Sequence, residues 1–244
     1  MTRKIWRWCR RIWQALRGTA PPAAPPVEAN EDGSMTLVRF LDESGQFNYD
    51  QYRAVQVEGN LRKLDRVWAL EPNLKFAAER IRRWAGEPLV FGLCHGTRRG
   101  LEQRWLAQSL GCQVLGTDIS ESATQFENSI QWDFHQAKPE WLGSVDFIYS
   151  NSWDHSFDPE TCMQVWLSCL RPGGVCVLEH SSEHEPISVR ALDPFKVTLP
   201  VLTERLEAWG RGQWTLREVV ETPSRVAGAT SQHLIVLQRT GIES

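Results

Sequence analysis

The chain lacks the features that would settle several function classes at once. Its six cysteines are Cys9, Cys94, Cys112, Cys162, Cys169 and Cys176, and no two form a C-x-x-C pair. That spacing gives no zinc or dithiol framework. Several of the six sit in apolar patterns, as buried thiols of a reducing compartment do. No uninterrupted apolar run reaches the roughly 20 residues of a membrane-spanning helix. A secretory core is missing too, because arginines interrupt every apolar stretch near the start, and a transit peptide would be richer in serine. The dinucleotide fingerprint G-x-G-x-x-G is absent, which weakens a nicotinamide reading. Excess basic charge is also absent. The formal net charge is −3, and six of the 27 basic residues lie within residues 1–17, which hold no acid. The remaining 21 basic residues face 30 acids, leaving −9. Such a body is a poor binder of phosphate backbones, so no nucleic-acid partner is expected.

What is present divides the 244 residues into four stretches. Residues 1–18 place Ile5, Trp8, Cys9, Ile12, Trp13 and Leu16 at helical spacing, with arginines on the other face. This is the pattern of an interfacial helix on a membrane surface. Docking on the chain's own domain and RNA binding through the arginines are the alternatives. Residues 19–36 are proline-rich and acidic and read as a flexible linker. Residues 37–86 read as a helical cap segment, with Pro72 in a first turn and Gly86 as a stop.

Residues 87–244 alternate strands and helices. Pro88 opens a strand through Leu89, Val90 and Phe91, and Leu101 to Leu110 form a helix that Gly111 ends. The next strands are Cys112 to Asp118, Ser129 to Asp133 and Val145 to Ser150. Asp158 and Pro159 cap a helix reaching Leu170, and Arg171 to Gly174 turn into the strand Val175 to His180. Two late strands, Trp214 to Val220 and His233 to Arg239, suit an antiparallel pair at the sheet edge. Repeated βα units imply a mostly parallel sheet with right-handed crossovers. Ligands bind beyond the carboxyl ends of such strands. Attention therefore falls on the turn FGLCHGTRRG, whose glycines Gly92, Gly96 and Gly100 are four apart. Asp118 follows about 20 residues on, where an acid can accept both ribose hydroxyls. A helix N-cap or loop acid is its structural alternative.

Taken together, these stretches resemble the class I S-adenosylmethionine-dependent methyltransferases, over about Glu87 to Arg239. FGLCHGTRRG resembles that family's glycine-rich first motif, GTDIS its acidic second motif, and IQWDF the stretch near the adenine. VDFIYSNSWDH resembles the fourth strand with its active-site loop, and LRPGGVCVLEH the turn into the fifth strand. The resemblance implies a Rossmann-like, doubly wound α/β fold, mostly parallel with an antiparallel edge strand and preceded by a helical segment. S-adenosyl-L-methionine is the implied cofactor, held by Cys94, His95, Gly96, Thr97, Arg98 and Gly100 of the first motif and by Asp118 and Ile119 of the second. Trp132, Asp133 and Phe134 would flank and hydrogen-bond the adenine, with Asn151 completing the pocket; ordinary core packing is the alternative for Trp132.

The departures from the family pattern matter. Gly92 stands in place of the usual acid that meets the methionine amino group, Cys94 in place of the first glycine and Arg98 in place of the third. Glu102 either replaces the missing acid or is a first-turn helix acid favoured by the macrodipole. Arg98 or Arg99 either pairs with the methionine carboxylate or stays solvated at the helix start.

Asn151, Asp154 and His155 are the catalytic candidates, His155 having the pKa range of a general base. His180, Glu183 and His184 form a second polar cluster whose spacing does not specify a metal, and none is expected. The adenine-type N-P-P-Y motif is absent. The reading is therefore a methyltransferase acting on a small-molecule, lipid-linked or glycan-linked acceptor, cytoplasmic and with a possible seat on the inner membrane face. The alternative is a non-catalytic, membrane-associated module retaining a degenerate cofactor fold. Oligomeric state is not legible.

Overall fold

The computed structural model describes residues 25–187 and 189–241. The basic helix expected over residues 1–18 lies outside them. Two short strands come first, β1 (Val27–Ala29) and β2 (Met35–Val38), followed by helices α1 (Tyr49–Arg62) and α2 (Glu71–Ala85). Strand β3 (Phe91–His95), helix α3 (Leu101–Leu110), strand β4 (Gln113–Asp118), strand β5 (Ser129–Gln131) and strand β6 (Val145–Ser150) follow. Next come α4 (Pro159–Cys169), β7 (Leu170–Ser181), β8 (Phe195–Val197), α5 (Leu199–Gly210), β9 (Trp214–Glu221) and β10 (Gln232–Arg239).

Seven strands make the main sheet in the order β5-β4-β3-β6-β7-β10-β9. The first five are mutually parallel. β10 runs antiparallel to both β7 and β9. The antiparallel strand thus lies one in from the edge, and the edge strand β9 runs with the others. The sheet order reverses at β3, between β4 and β6, and ligand clefts of open α/β sheets form at such a point.

Alternation along the strands sets the two faces. Cys94, Val114, Phe147, Tyr149, Val177 and Val236 pack under α2 and α3. Leu93, Ile148, Cys176, Leu178, Ile235 and Leu237 pack under α4 and α5. The helices show matching stripes: Leu74, Ala77, Ala78 and Ile81 are the buried apolar residues of α2, as the 3.6 period requires. Pro72 lies in the first turn of α2, and the Gly86 N–H closes its end on the Arg82 carbonyl. Asp158 caps α4 by accepting from the Thr161 N–H at 3.2 Å.

Two expectations from sequence are corrected here. Of the linker expected over residues 19–36, residues 27–29 and 35–36 are strand, because β1 pairs with β2 and β2 pairs with β8 in a three-stranded sheet. Leu37 and Val38 accordingly belong to a strand, and the helical segment starts at Tyr49. The partner strand lies some 160 residues away in sequence, beyond the reach of local pattern.

Candidate functional site

The turn after β3 sets the site. FGLCH is strand rather than turn, so the chain leaves the sheet only at Gly96. Gly92 therefore lies inside the sheet, where an added Cβ would sit 2.1 Å from the Phe147 ring. No acid fits there, which gives the departure at Gly92 a steric reason. Gly96 has φ +77°, and its backbone lies against Ser152. Arg98 holds a left-handed φ of 37° where the family keeps glycine. The Gly96 and Thr97 amides are spent on the Thr117 carbonyl at 2.8 and 3.1 Å, and the Arg98 amide donates to Asp118 at 3.1 Å. The turn thus locks onto the end of β4 and leaves those amides engaged.

Asp118 ends β4 beneath a cleft of about 510 Å³, part of it open to solvent. The Asn60 amide of α1 donates to both Asp118 oxygens at 2.8 Å, and the Ser120 N–H donates at 2.9 Å. Burial raises the Asp118 pKa, against the pull of the Ser120 and Arg98 amides. Ile119 and Phe134 supply apolar walls, with Leu192 opposite. Asp133 also lines the cleft but already accepts from Tyr49 Oη at 2.7 Å and from the His135 amide and ring. Burial pushes its pKa up, and the His135 and Tyr49 bonds outweigh that, leaving it below the ordinary value.

Toward α3, a further recess is lined by Gly96, Thr97, Arg98, Glu102 and Asn151. Glu102 is buried, and desolvation pushes its carboxyl up to about 7. Asn151 lies beside Glu102, yet its Nδ2 is buried without a hydrogen-bond partner.

A second, wider cleft of about 1220 Å³, also solvent-open, adjoins the first. The two share Lys63, Arg98, Ser152 and His155. At the base of the second cleft, Asp154 lies 3.4 Å from Lys196 Nζ and 3.8 Å from His184 Nε2. Burial pushes the Asp154 pKa up, but His184, His155 and Lys196 outweigh it, so the carboxylate is held ionised. Asp154, His155 and Asp193 bring ligand-type atoms within 4.8 Å of one another. The Lys196 ammonium already supplies a positive charge to that group.

Several expected residues fall elsewhere. Cys94 is wholly buried in the layer under α2 and α3, and burial raises its thiol pKa well above the usual range. His95 lies 4.7 Å from the Trp166 ring and bonds Thr117 Oγ1, with burial depressing its pKa to about 3. Trp132 packs edge-on against Trp141 and donates to the Gln136 carbonyl. Gly100 caps α3 beside Gln103 and Ser129. These four are corrected from cofactor candidates to structural residues. His180 stacks on Trp153 instead of facing the cleft, whereas Glu183 and His184 do line it. The residues that sequence reading missed are Tyr52, Gln56, Asn60 and Lys63 of the α1 stretch. Tyr52, Gln56 and Asn60 recur at helical spacing as a buried stripe that half-buried Lys63 extends, and that period was the available signal.

The fold is Rossmann-like α/β, of the class I methyltransferase type. Residues 93–178 match a family described as "Methyltransferase domain". That stretch is a methyltransferase domain, carried on a fold of the class I, S-adenosylmethionine-dependent type. Comparison with curated proteins gives no sequence match. Among solved structures, it is similar to the Burkholderia thailandensis 1,6-didemethyltoxoflavin-N1-methyltransferase with bound 1,6-didemethyltoxoflavin and S-adenosylhomocysteine. That likeness has 17% identity and a TM-score of 0.61, over 90% of this chain and 100% of the other. An S-adenosylmethionine-dependent methyltransferase from Aquifex aeolicus gives 15% identity and a TM-score of 0.52, over 80% and 100% of the two chains. The [4+2]-cyclase SpnF gives 13% identity and a TM-score of 0.56, over 78% and 94%. At these identities the likeness is one of fold. Among the described residues, no helix is long and apolar enough to cross a membrane.

Proposed function

We propose that this domain methylates a small-molecule acceptor bound in the second cleft, with the cofactor lying in the first. The observation that carries this reading is the junction of the two clefts at His155 and Ser152. A cofactor site opening directly onto an acceptor site lets a methyl group pass between them without the acceptor crossing solvent. The neighbour solved with a small-molecule acceptor supports the same acceptor class.

The side chains present fit the cofactor by their chemistry. Asp118 is an acceptor carboxylate for the ribose diol, replacing the Asn60 amide it now accepts. Ile119 and Phe134 offer apolar surface to the base, and Asp133 sits beside them. Glu102, at the end where the motif acid is missing, is the acid for the methionine ammonium, and Asn151 Nδ2 is an unspent donor there. Arg98 is the cation for the methionine carboxylate.

When bound, S-adenosylmethionine supplies an electrophilic methyl group for in-line displacement. The chain's task is then to align the acceptor, which can contribute much of the rate. His155 takes a proton from the acceptor where that group is protonated. Asp154 stays ionised beside it.

Calorimetry on the full chain with S-adenosylmethionine and S-adenosylhomocysteine tests the cofactor reading. S-adenosylhomocysteine formation is then compared between a low-molecular-weight metabolite extract and a lipid extract. Saturable cofactor binding and turnover with the small molecules are expected. Absence of binding, or turnover with lipids alone, overturns the proposal.

A further inference from the structure

We propose that the second cleft is an anion pocket, and that its acceptor carries a phosphoryl-type group against Lys63, Arg66 and Arg190 and an apolar part against Val67 and Trp68. This rests on the methyltransferase reading of the same site and names its substrate class.

The first support is a local reversal of charge. Five cations line the cleft, Lys63, Arg66, Arg98, Arg190 and Lys196, against three carboxylates, Asp154, Glu183 and Asp193. Residues 18–244 carry 21 basic and 30 acidic side chains, so this concentration opposes the charge of the body around it.

The second is the lack of internal anions for those cations. The ion pairs at the cleft are Lys196 with Asp154, His184 with Asp154, and His155 with Asp193. Among the described residues, none of Lys63, Arg66, Arg98 or Arg190 has a carboxylate within 4.0 Å. Lys63 is half-buried, and its pKa is lowered, chiefly by desolvation. A cation drawn from water with no carboxylate in contact is costly, and a bound anion relieves that cost.

The third is that the backbone bearing the donors is held in place before any ligand arrives. Arg98 Nη1 donates to the Lys63 and Arg66 carbonyls at 3.3 and 3.2 Å, tying that segment to the cleft wall. A turn closed by the Asp193 N–H on the Arg190 carbonyl at 3.1 Å sets the backbone of Arg190. Two donors on the wall lack partners, Arg98 Nε and Asn151 Nδ2, and Asn151 is only 5% exposed. Guanidinium forks match phosphoryl oxygens two at a time, which a lone carboxylate uses less fully where several cations converge.

The fourth is the apolar rim. Val67 and Trp68 line the same cleft and stand 47% and 40% exposed. An acceptor of mixed character, apolar with an anionic end, covers both kinds of surface.

The test is calorimetric titration of inorganic pyrophosphate into the full chain, with and without saturating S-adenosylhomocysteine. Succinate serves as the carboxylate arm. Saturable pyrophosphate binding is expected, weakened about tenfold in Arg190→Gln and partly restored in Arg190→Lys. Arg217→Gln, a surface change on β9, should leave it unchanged. Comparing variants within the full chain cancels any binding by the basic residues 1–17. Arg66→Gln gives a second reading of the pocket should Arg190→Gln fold poorly. Equal pyrophosphate affinity in wild type and in both Gln variants overturns the inference, as does absent binding or tighter binding of succinate. S-adenosylhomocysteine affinity, expected unchanged in Arg190→Gln, reports separately on the methyltransferase reading. A chain that binds pyrophosphate at Arg190 but no cofactor fails that reading alone.

Discussion

Gln56 fixes the tautomer of His155. Its Nε2 donates to the Leu192 carbonyl at 3.0 Å, which turns its Oε1 to His155 Nδ1 at 2.7 Å. An amide oxygen only accepts, so Nδ1 carries the proton and Nε2 keeps its lone pair. Asp193 lies 3.7 Å from that Nε2. His155→Ala should lower turnover about 10²-fold while cofactor affinity stays near wild type. Gln56→Leu, acting only through the ring's orientation, should lose less and flatten the pH profile of turnover. Gln56→Glu, which still accepts from Nδ1, should recover much of the rate. Rates of S-adenosylhomocysteine formation across pH check all three. A His155→Ala enzyme with an unchanged rate removes the base from the mechanism.

Asn60 and Asp118 make the second prediction. The Asn60 amide occupies both carboxylate oxygens that the ribose diol would use. Asp118→Ala should therefore weaken S-adenosylhomocysteine binding about tenfold or more, by leaving ribose hydroxyls short of a partner. Asn60→Ala should behave in the opposite sense. It costs the cofactor-free fold roughly 1–2 kcal/mol through the lost bonds, yet it removes a competitor for Asp118. Its cofactor affinity should equal or exceed that of wild type. Melting curves and calorimetry on the two variants decide it; a large affinity loss in Asn60→Ala would make Asn60 a cofactor contact instead.

These contacts mark the border of what was readable. The central strand Val145–Ser150 and the helix Leu101–Leu110 follow from apolar runs and glycine stops, and they lie where the pattern places them. The end of β4 at Asp118 was legible from the strand pattern. Cys94, His95 and Trp132 were misread for a shared reason. A motif position tells where the backbone goes, whereas packing decides which way a side chain faces. His95 turns inward because Thr117 Oγ1 offers its ring a partner within the sheet. The α1 wall escaped notice because its buried stripe is polar, and a polar stripe resembles a solvated face until its partners across the cleft are known. β2 was hidden by the proline-rich stretch before it, its partner β8 being remote in sequence.

Asp146 anchors the start of the nucleotide-side strands and should govern stability rather than catalysis. One oxygen accepts from the Val90 and Phe91 amides at 2.6 and 2.8 Å, and the other from Arg171 Nε at 2.6 Å. Burial pushes its pKa up, but Arg171 and the two amides outweigh that and hold it below the ordinary value. The stability it confers is thus present above the unfolded carboxyl pKa and lost as pH falls through the lower folded one. Asp146→Ala should cost roughly 2–4 kcal/mol at neutral pH, from two orphaned amides and an unpaired guanidinium. The deficit relative to wild type should shrink in acid. Denaturant titrations at neutral and acidic pH measure it. A deficit independent of pH would mean that the carboxylate's charge plays no part.

Glu102 joins stability to cofactor binding through one proton. Desolvation raises its pKa from 4.5 to about 7 in the cofactor-free fold, with a backbone hydrogen bond and Arg98 pulling the other way. Between those values the native state holds a proton that the unfolded chain has released. Stability contributed by this group is therefore full below the unfolded pKa and falls as pH rises through the folded one. Glu102→Gln keeps the neutral shape at every pH. Without cofactor, the variant should match wild type in acid and exceed it above neutrality, by at most about 3 kcal/mol. Cofactor binding should run the other way. A methionine ammonium pairs with the ionised carboxylate, so wild-type affinity should rise with pH toward and past neutrality as Glu102 ionises. In Glu102→Gln the affinity should be about tenfold weaker above neutrality and should lose that rise. Melting curves without ligand and calorimetry with S-adenosylmethionine, each on both sides of neutral pH, give the two slopes. If the variant binds as tightly as wild type above neutrality, Glu102 is a buried helix acid and the ammonium is held elsewhere. If the variant gains stability and loses affinity together, the same carboxyl that burdens the empty fold is the one that holds the cofactor's amino group.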